Sequence, residues 1–400
     1  MLGWTSSGGG GCNAIIVGVR RALAFGAVVT AGLLVVLIGG RSGEDSPLRS
    51  SEIALLCRPN VAEVPQSQWR RPRAICVWDD AADRPRVLVR VPAGSVDHWP
   101  AWSPDGARIA FVRSRYGSDG SADHQLLVVR SDGSHPVRVA SDLADPLHRA
   151  PFAWAPDARR IAVTRSLPAG SGARASTSSR GPGDVYVVDV EAGTTRRLTR
   201  DPRDDSIPVW IGRRLLYVRR EARTPRRSRS QLRVAGAGHD RILRRFARTI
   251  IIDLVPSPDG TKVALAQEGA KQPALSVLDV DGGRLNVLIK EPDVYGTPSH
   301  VSWSPDARLL AFDTGGMVGV LDVATRELVG DEHVPCSRPE WSPDGRWLAC
   351  SVWYGEERPE RRGGADVLLV DPATRARTLL TDSGRAAGAR WRPLARRTTG

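Results

Sequence analysis

Lysine is nearly absent from this sequence, cysteine is scarce, and no familiar catalytic motif is present. Of the 57 basic residues only Lys262, Lys271 and Lys290 are lysines, an imbalance best explained by codon bias in a GC-rich genome. Five cysteines are too few for a dense disulfide scaffold, and no two are spaced as CxxC. The chain has no Gly-x-Ser-x-Gly, His-Glu-x-x-His, GKS, GKT or GxGxxG motif. Motifs therefore indicate no ordinary enzyme class.

The composition is that of a folded protein with an uneven charge. The 400 residues are 41% hydrophobic and 25% charged, which is enough to bury a substantial core. The net charge is +13, and tryptophan contributes 12 of the few aromatic residues. The length fits one large β fold or two ordinary domains.

The N-terminal region contains one apolar run, residues 22–40, which carries no charge. As a helix it would span roughly 28 Å, close to the thickness of a bilayer core. We interpret it as an uncleaved signal anchor, with a cleaved signal peptide as the alternative. Residues 1–21 are then a flexible cytoplasmic tail, 41–51 a linker, 52–393 the folded domain and 394–400 a tail. The protein is expected at the cell membrane, single-pass, with the folded domain on the extracytoplasmic side.

A repeat fills the rest of the chain. Trp102-Ser-Pro-Asp-Gly106 recurs, with changes, from Trp154, Pro256, Trp303 and Trp341, a worn copy begins at Trp210, and a truncated one begins at Trp391. The spacing of 38 to 56 residues is typical of a four-stranded propeller blade. In each unit a strand ends at the Trp, the Ser-Pro-Asp-Gly segment turns, and two apolar strands and a shorter outer strand follow.

The turns carry two open questions. Their five aspartates could be catalytic or metal-binding, but repetition once per blade favours turn chemistry. Ala158 and Ala307 replace the glycine, and each should cost on the order of 1 kcal/mol if its φ is positive.

The two ends of the chain predict a closed ring. Residues 52–91 contain three strands, from Glu52, Ala74 and Arg86, without a first strand, and residues 387–391 supply a first strand with nothing after it. Together they complete one blade and remove the open sheet edges. The fold class is therefore all-β, a seven-bladed β-propeller closed by one shared blade, with six blades as the alternative.

These repeats resemble the TolB-like β-propellers, whose WSPDG units and following "IYVxD" strands match over about residues 52–393. The namesake family is six-bladed, so the count of seven departs from it. The resemblance implies an envelope-complex role without enzymatic activity. Related propellers also include lyases, which keeps open an enzyme with a small-ligand or metal site in the central channel.

The insertions predict which face of the propeller binds. The connections after the first and third strands are tight, whereas insertions follow the second strand at 114–124, 166–183, 219–231 and 355–365. We expect binding on this long-loop face, around the channel, and expect the opposite, smooth face to look at the membrane. The segment 213–248 holds 13 arginines against two acidic residues. The candidate contacts to an anionic partner are Arg220, Arg223, Arg226, Arg227 and Arg229, although a bland solvated loop is the alternative.

Four cysteines form two candidate disulfides, Cys57 with Cys76 and Cys336 with Cys350. The second pair follows from placing Trp341 opposite Arg346 across its turn. Buried free thiols are the alternative.

Three histidines and one arginine are loose candidates for channel ligands: His98, His148, His300 and Arg338. The histidines precede the tryptophan of their blade by unequal distances, so no metal site and no cofactor is predicted. The partner is expected to be an envelope protein or anionic polymer. Nucleic acid is not expected, because no aromatic residues interleave the arginines. We expect the propeller to be monomeric.

Overall fold

The computed structural model describes residues 52–57, 73–79, 84–117, 121–144, 150–166, 183–221, 229–235, 240–269, 274–290, 296–329, 334–354 and 364–394. Within these ranges no helix is long and apolar enough to cross a membrane. The predicted anchor, 22–40, lies outside them, as do the two tails apart from Leu394.

The strands form seven antiparallel sheets in chain order, which are the blades of a propeller. The first three complete blades are blade 1 (β4 Ser95–Trp102, β5 Arg108–Tyr116, β6 Ala122–Arg130, β7 Val137–Ala140), blade 2 (β8 Phe152–Trp154, β9 Arg160–Ser166, β10 Gly183–Asp189, β11 Thr195–Arg197) and blade 3 (β12 Asp204–Ile211, β13 Arg214–Arg220, β14 Arg229–Ala235, β15 Asp240–Ala247). The next three are blade 4 (β16 Thr249–Pro256, β17 Lys262–Gly269, β18 Ala274–Asp279, β19 Leu285–Lys290), blade 5 (β20 Ser299–Trp303, β21 Leu309–Thr314, β22 Met317–Asp322) and blade 6 (β23 Ser337–Trp341, β24 Leu348–Trp353, β25 Ala365–Val370, β26 Arg377–Leu379). The closing blade has the order β27 (Ala386–Trp391), β1 (Ile53–Cys57), β2 (Ala74–Asp79), β3 (Arg84–Val87).

The prediction of seven blades with a shared closing blade is confirmed. The units at Trp210 and Pro256, which have the most degenerate repeats, form complete four-stranded blades. In the part of the chain that the structure describes, blade 5 has three strands, and in place of a fourth strand two isolated bridges reach β22, from Leu328 to Leu321 and from Val334 to Val318.

The core lies between the blades, so the middle strands are buried on both faces. In β5, Ile109 and Phe111 pack toward the closing blade, whereas Ala110 and Val112 pack toward blade 2. All four residues are fully buried. This double burial explains why the middle strands read as continuous apolar runs. Truncation of a buried ring such as Phe111 to alanine would cost about 3–5 kcal/mol.

Four of the repeated tryptophans link their blade to the preceding one. The Nε1–H of Trp102 donates to the carbonyl of Arg390 at 3.1 Å, and that of Trp391 donates to Glu340 at 3.2 Å. Trp154 and Trp303 donate to equivalent carbonyls in blades 1 and 4. Two of these bonds flank the closing blade, so the repeat tryptophan helps to hold the ring shut.

Turn chemistry accounts for the repeated aspartates. In the first repeat Asp105 accepts hydrogen bonds from the hydroxyl of Ser103 and the backbone N–H of Ala107. The same pattern recurs at Asp259, Asp306 and Asp344. Ala158 and Ala307 both have φ of 58°, so each adopts the left-handed conformation that the repeat otherwise assigns to glycine.

Three details of the predicted strands were wrong: one register, one strand boundary and the extent of the insertions. Trp341 pairs with Leu348 rather than Arg346, because the turn extends further and closes with the backbone N–H of Ser342 donating to the carbonyl of Trp347. The outer strand of the closing blade is Arg84–Val87, since Leu88 and Val89 turn inward and are buried. The insertions are shorter than predicted, because residues at their bases, such as the pair 114 and 124, are still part of paired strands.

Candidate functional site at the channel mouth

The innermost strand of most blades contains a one-residue bulge near its start. Register shifts of this kind occur in β4, β12, β16, β20, β23 and β27. In five of them the residue three positions before the repeat tryptophan has positive φ: Trp99 (53°), Ile207 (56°), His300 (46°), Arg338 (56°) and Gly388 (64°). Bulges of this kind redirect side chains, and they recur beside functional sites. Because innermost strands start on the long-loop face, these residues lie around the channel mouth on that face.

Trp99, His300 and Arg338, here called the mouth cluster, come from blades 1, 5 and 6 and meet. The rings of Trp99 and His300 stack with centroids 6.3 Å apart. The guanidinium carbon of Arg338 lies 4.9 Å from the centroid of the Trp99 ring. Oδ2 of Asp313 lies 3.4 Å from Nδ1 of His300 and accepts the backbone N–H of Arg338 at 3.4 Å. Since blades 1 and 5 are not neighbours in the ring, Trp99 reaches across the channel.

Several basic side chains lie close together beside the mouth cluster. Burial, together with the charges of Arg73 and Arg338, lowers the pKa of His98 to about 4. Burial lowers the pKa of Arg338 to about 10, with Arg390 and Arg73 adding to the effect. Burial also lowers the pKa of Arg73. Both desolvation and mutual repulsion therefore disfavour the charged forms of these side chains at the mouth.

A pocket, here called the mouth pocket, opens between the closing blade and blade 6. Its aromatic wall is Trp353, which is 43% exposed and donates its Nε1–H to the hydroxyl of Ser337 at 2.7 Å. The lining residues are Leu56, Cys57, Arg73, Arg338, Trp353, Ala365, Gly384, Arg385, Ala386 and Ala387. The pocket thus combines guanidinium groups with an apolar wall.

Of the predicted channel ligands, the structure brings His98, His300 and Arg338 together at the mouth. His148 lies outside the described residues. No group of three or more histidine, cysteine, aspartate or glutamate side chains in the described ranges is arranged to hold a metal ion.

The predicted arginine contacts divide into three groups. Arg220 is half-buried, and its guanidinium donates to the carbonyl of Ile251 at 2.6 Å, so it links blade 3 to blade 4. Arg229 is exposed at the start of β14. Arg223, Arg226 and Arg227 lie outside the described residues.

The two predicted cysteine pairs are both bonded in this structure. Cys57 and Cys76 have Cα atoms 5.9 Å apart, and Cys336 and Cys350 have Cα atoms 5.8 Å apart. Each bond joins positions that are diagonal across neighbouring strands. The first pair places Cys57 at the mouth pocket.

Sequence reasoning missed Trp99, Arg73 and Trp353. Trp99 had a signal, because it stands three residues before its repeat tryptophan, as His300 and Arg338 do before theirs. Arg73 and Trp353 carry no such signal, since they flank the insertions after the second strands of two different blades.

One curated relative matches part of the chain. It is the Tol-Pal system protein TolB of Alcanivorax borkumensis, 30% identical over 157 residues. The match covers 36% of this chain and 34% of TolB, so it spans about a third of that relative's length. No protein-family model matches the chain.

Solved structures agree with the topology. TolB from Acinetobacter baumannii superimposes with a TM-score of 0.51 at 16% identity, over 86% of this chain and 67% of that one. The chain is a β-propeller that resembles TolB. The same fold occurs in a Mycobacterium tuberculosis puromycin-hydrolysing peptidase (TM-score 0.53, 15% identity, 81% of this chain and 53% of that one). It also occurs in an oligogalacturonate lyase in complex with manganese (TM-score 0.51, 13% identity, 76% and 80%). The fold thus occurs in a Tol-Pal system protein and in enzymes, and at these identities the structures establish the fold alone.

Proposed function

We propose that the protein is a non-enzymatic, membrane-anchored, extracytoplasmic propeller that binds an envelope protein or polymer through its long-loop face. The observation that carries this proposal is the mouth cluster, in which Trp99, His300 and Arg338 occupy left-handed backbone positions around the channel. Bulky residues in that conformation cost about 1–2 kcal/mol each, so the surrounding fold maintains a strained arrangement. A strained cluster of aromatic and charged side chains on a rigid ring suits recognition.

Partial similarity to TolB supports an interaction role. The relative is a component of a Tol-Pal system by name, and the match to it is confined to about a third of its length. We therefore carry over only the class of role, binding within a protein system, and no particular partner.

The membrane location is part of the same proposal and has its own test. Residues 22–40 would anchor the chain, with the smooth face toward the membrane and the long-loop face away from it. A periplasmic-type reporter fused after Gly400 should be active outside the cytoplasm. Activity of a cytoplasm-restricted reporter alone would reverse the topology.

In-cell crosslinking and affinity purification of the full-length protein test the binding role. The first variant changes Trp99 and His300 to alanine, and the second changes four loop arginines (Arg223, Arg226, Arg227 and Arg229) to serine. Arg220 stays, because its contact to Ile251 is structural. A matched control changes four exposed arginines on or beside β15 to serine: Arg241, Arg244, Arg245 and Arg248.

We expect the native protein to enrich a partner that the mouth variant loses and the control retains. If the loop variant also loses the partner, the arginine loop is part of the binding surface. Retention of the partner by both variants would contradict binding on the long-loop face. If the native protein enriches no partner, the interaction role itself fails.

A lyase-like enzyme remains the second candidate, because His98, His300 and Arg338 meet at the channel of a fold shared with a manganese-bound lyase. Its test is titration of the purified full-length protein with Mn²⁺, beside a His98→Ala, His300→Ala variant. Tight binding by the native protein and loss in the variant would favour the enzyme.

A further inference from the structure

Half-buried and buried arginines in this propeller are generally paired with carboxylates. Arg219 forms two hydrogen bonds of 2.7 Å with Asp205, and Arg113 forms bonds of 2.7 and 2.8 Å with Asp97. Arg197 pairs with Asp184, and Arg390 lies 2.8 Å from Glu340. Such pairing is required because an isolated charge is costly to remove from water.

Arg73 and Arg338 break this pattern. Both are half-buried, and both line the mouth pocket. Among the described residues no hydrogen bond or ion pair reaches either guanidinium. Two half-buried positive groups therefore face one cavity that is also lined by Arg385, and no described lining residue places a carboxylate between them.

Packing fixes the position of Arg338. Its guanidinium lies over the ring of Trp99, 4.9 Å from the centroid. On the other side it lies beside the closing blade, where a methyl group added at Gly388 would lie in ordinary van der Waals contact, 4.0 Å from its Nη1. The contact with Trp99 orients the side chain before any ligand arrives, which reduces the entropic cost of binding.

The remaining lining identifies the kind of anion. Leu56, Ala365, Ala386 and Ala387 form an apolar wall, and Trp353 presents an exposed indole. None of the ten lining residues has a carboxylate or amide side chain to accept hydrogen bonds from sugar hydroxyls. An inorganic anion would leave the apolar wall without a contact.

We propose that the mouth pocket binds a carboxylate group of an acidic peptide segment, gripped by Arg73 and Arg338 while the neighbouring side chain packs on Trp353 and Leu56. The planar guanidinium fork matches a carboxylate and can bind it through two parallel hydrogen bonds. This site rests on the proposed function and deepens it, because it names the chemical group that the partner presents.

Short peptides added to the full-length protein in detergent micelles test the pocket. Acetyl-Ala-Leu-Ala offers a terminal carboxylate, acetyl-Ala-Leu-Glu-Ala-amide offers a side-chain carboxylate, and acetyl-Ala-Leu-Gln-Ala-amide is the neutral match. Galacturonate and inorganic phosphate represent the other anions. Affinity is measured by calorimetric titration.

We expect at least one carboxylate peptide to bind at least ten-fold more tightly than the neutral peptide, and the one that does identifies the source of the carboxylate. Arg338→Gln and Arg73→Gln should each weaken that binding about ten- to a hundred-fold. Arg377→Gln, an exposed arginine on the outer strand of blade 6, should leave it unchanged.

A merely structural role for Arg338 is excluded by a second readout. Because Arg338→Gln removes an unpaired, half-buried charge, its thermal midpoint should not fall below that of the parent protein, whereas loss of a structural ion pair would lower it. Arg73→Gln provides an independent variant if Arg338→Gln does not fold.

Equal binding of neutral and acidic peptides, binding of galacturonate or phosphate alone, or no binding at all would each overturn the proposal. The outcome is separable from the proposed function. If the peptides do not bind but a partner is captured, the proposed carboxylate site is contradicted and the interaction role is retained. If a peptide binds but no partner is captured, the carboxylate site is retained and the interaction role is contradicted.

Discussion

A residue with positive φ occurs at both ends of the innermost strands, but the kind of residue differs between the two ends. At the smooth face the left-handed position of the turn is occupied by Gly106, Gly260, Gly345 and, at φ of 58°, Ala158 and Ala307. At the channel mouth the left-handed bulge is occupied by Trp99, Ile207, His300, Arg338 and Gly388. Small residues keep the strain low at the turns, where blades 1, 4, 5 and 6 repeat the same hydrogen bonds. At the mouth four of the five positions carry large and dissimilar residues that accept that strain.

This difference separates structure from function along one strand. The turns are self-contained, because Ser and Asp side chains satisfy the local backbone groups. The mouth leaves guanidinium groups without carboxylate partners among the described residues. Strained bulky residues and unpaired charge lie at one end of the strand, whereas at the turns of the other end only Ala158 and Ala307 depart from glycine at the left-handed position. This is the pattern that a binding site on a rigid scaffold produces.

The largest expected effect is at a turn that also packs against the closing blade. A methyl group at Gly106 would lie 2.9 Å from Nε of Arg392, in addition to the left-handed φ of 69°. Gly106→Ala should therefore lower the free energy of unfolding by about 2 kcal/mol. Gly260→Ala, with φ of 73° and no heavy atom within 4 Å, should cost only about 1 kcal/mol. Urea unfolding measures both, and equal costs would contradict the contact with Arg392.

The mouth should contribute a pH dependence of its own, in addition to that of turn aspartates such as Asp105, whose pKa is lowered, against the effect of burial, by hydrogen bonds from Ser103 and Ala107. The pKa of His98 falls from 6.5 to about 4 in the folded state, chiefly through burial. Because the unfolded chain then binds a proton that the folded chain does not, stability is lost as pH falls through this window. His98→Gln should reduce the loss of unfolding free energy between pH 7 and about 4, and the exposed His135→Gln should not. An identical pH profile for His98→Gln and the parent protein would refute this assignment.

A glycine at the mouth gives a direct comparison of backbone strain at the two ends. Gly388 has φ of 64°, and its nearest neighbour to an added methyl group is Cδ1 of Leu56 at an ordinary 3.6 Å. Gly388→Ala should therefore cost about 1 kcal/mol, the same as Gly260→Ala. A much larger loss of unfolding free energy would contradict the view that the backbone strain is the same at the turns and at the mouth.

The smallest effect is a gain in stability. Ala307→Gly relieves the left-handed strain and should raise the free energy of unfolding by up to about 1 kcal/mol. At Ala158, which is only 8% exposed, loss of a buried methyl group worth about 0.8 kcal/mol should cancel most of the gain. Chemical denaturation of both variants tests this order, and destabilisation by Ala307→Gly would contradict it.

The sequence predicted the ring because its signal is repeated. The tryptophan, the turn and the split closing blade each appear at fixed positions, and seven blades follow from counting them. The register around Trp341 was not predicted, because the repeat motif does not show that the turn closes with Ser342 and Trp347 or that β23 contains a bulge between Ser337 and Glu340. Similarly, Arg220 could be read as a loop arginine from sequence, but its contact to Ile251 depends on the neighbouring blade.

The mouth was only partly predictable. His98, His300 and Arg338 were identified because they are unusual residues near strand starts. The relation of His300 and Arg338 to Trp99 was missed, because the bulge that gives the third residue before each repeat tryptophan a positive φ is not visible in the sequence. Arg73 enters the pocket through closure of the ring, which brings the two ends of the chain together.

Site-specific photo-crosslinking in cells tests the central claim, binding at the mouth of the long-loop face, most directly. A photoreactive amino acid replaces Trp353, which is exposed in the mouth pocket, or Thr261, which is exposed in a turn of the smooth face. We predict partner adducts from position 353 and none from position 261. Adducts from position 261 alone would contradict the account, because they would place the binding surface at the end of the strands that is built only for turns.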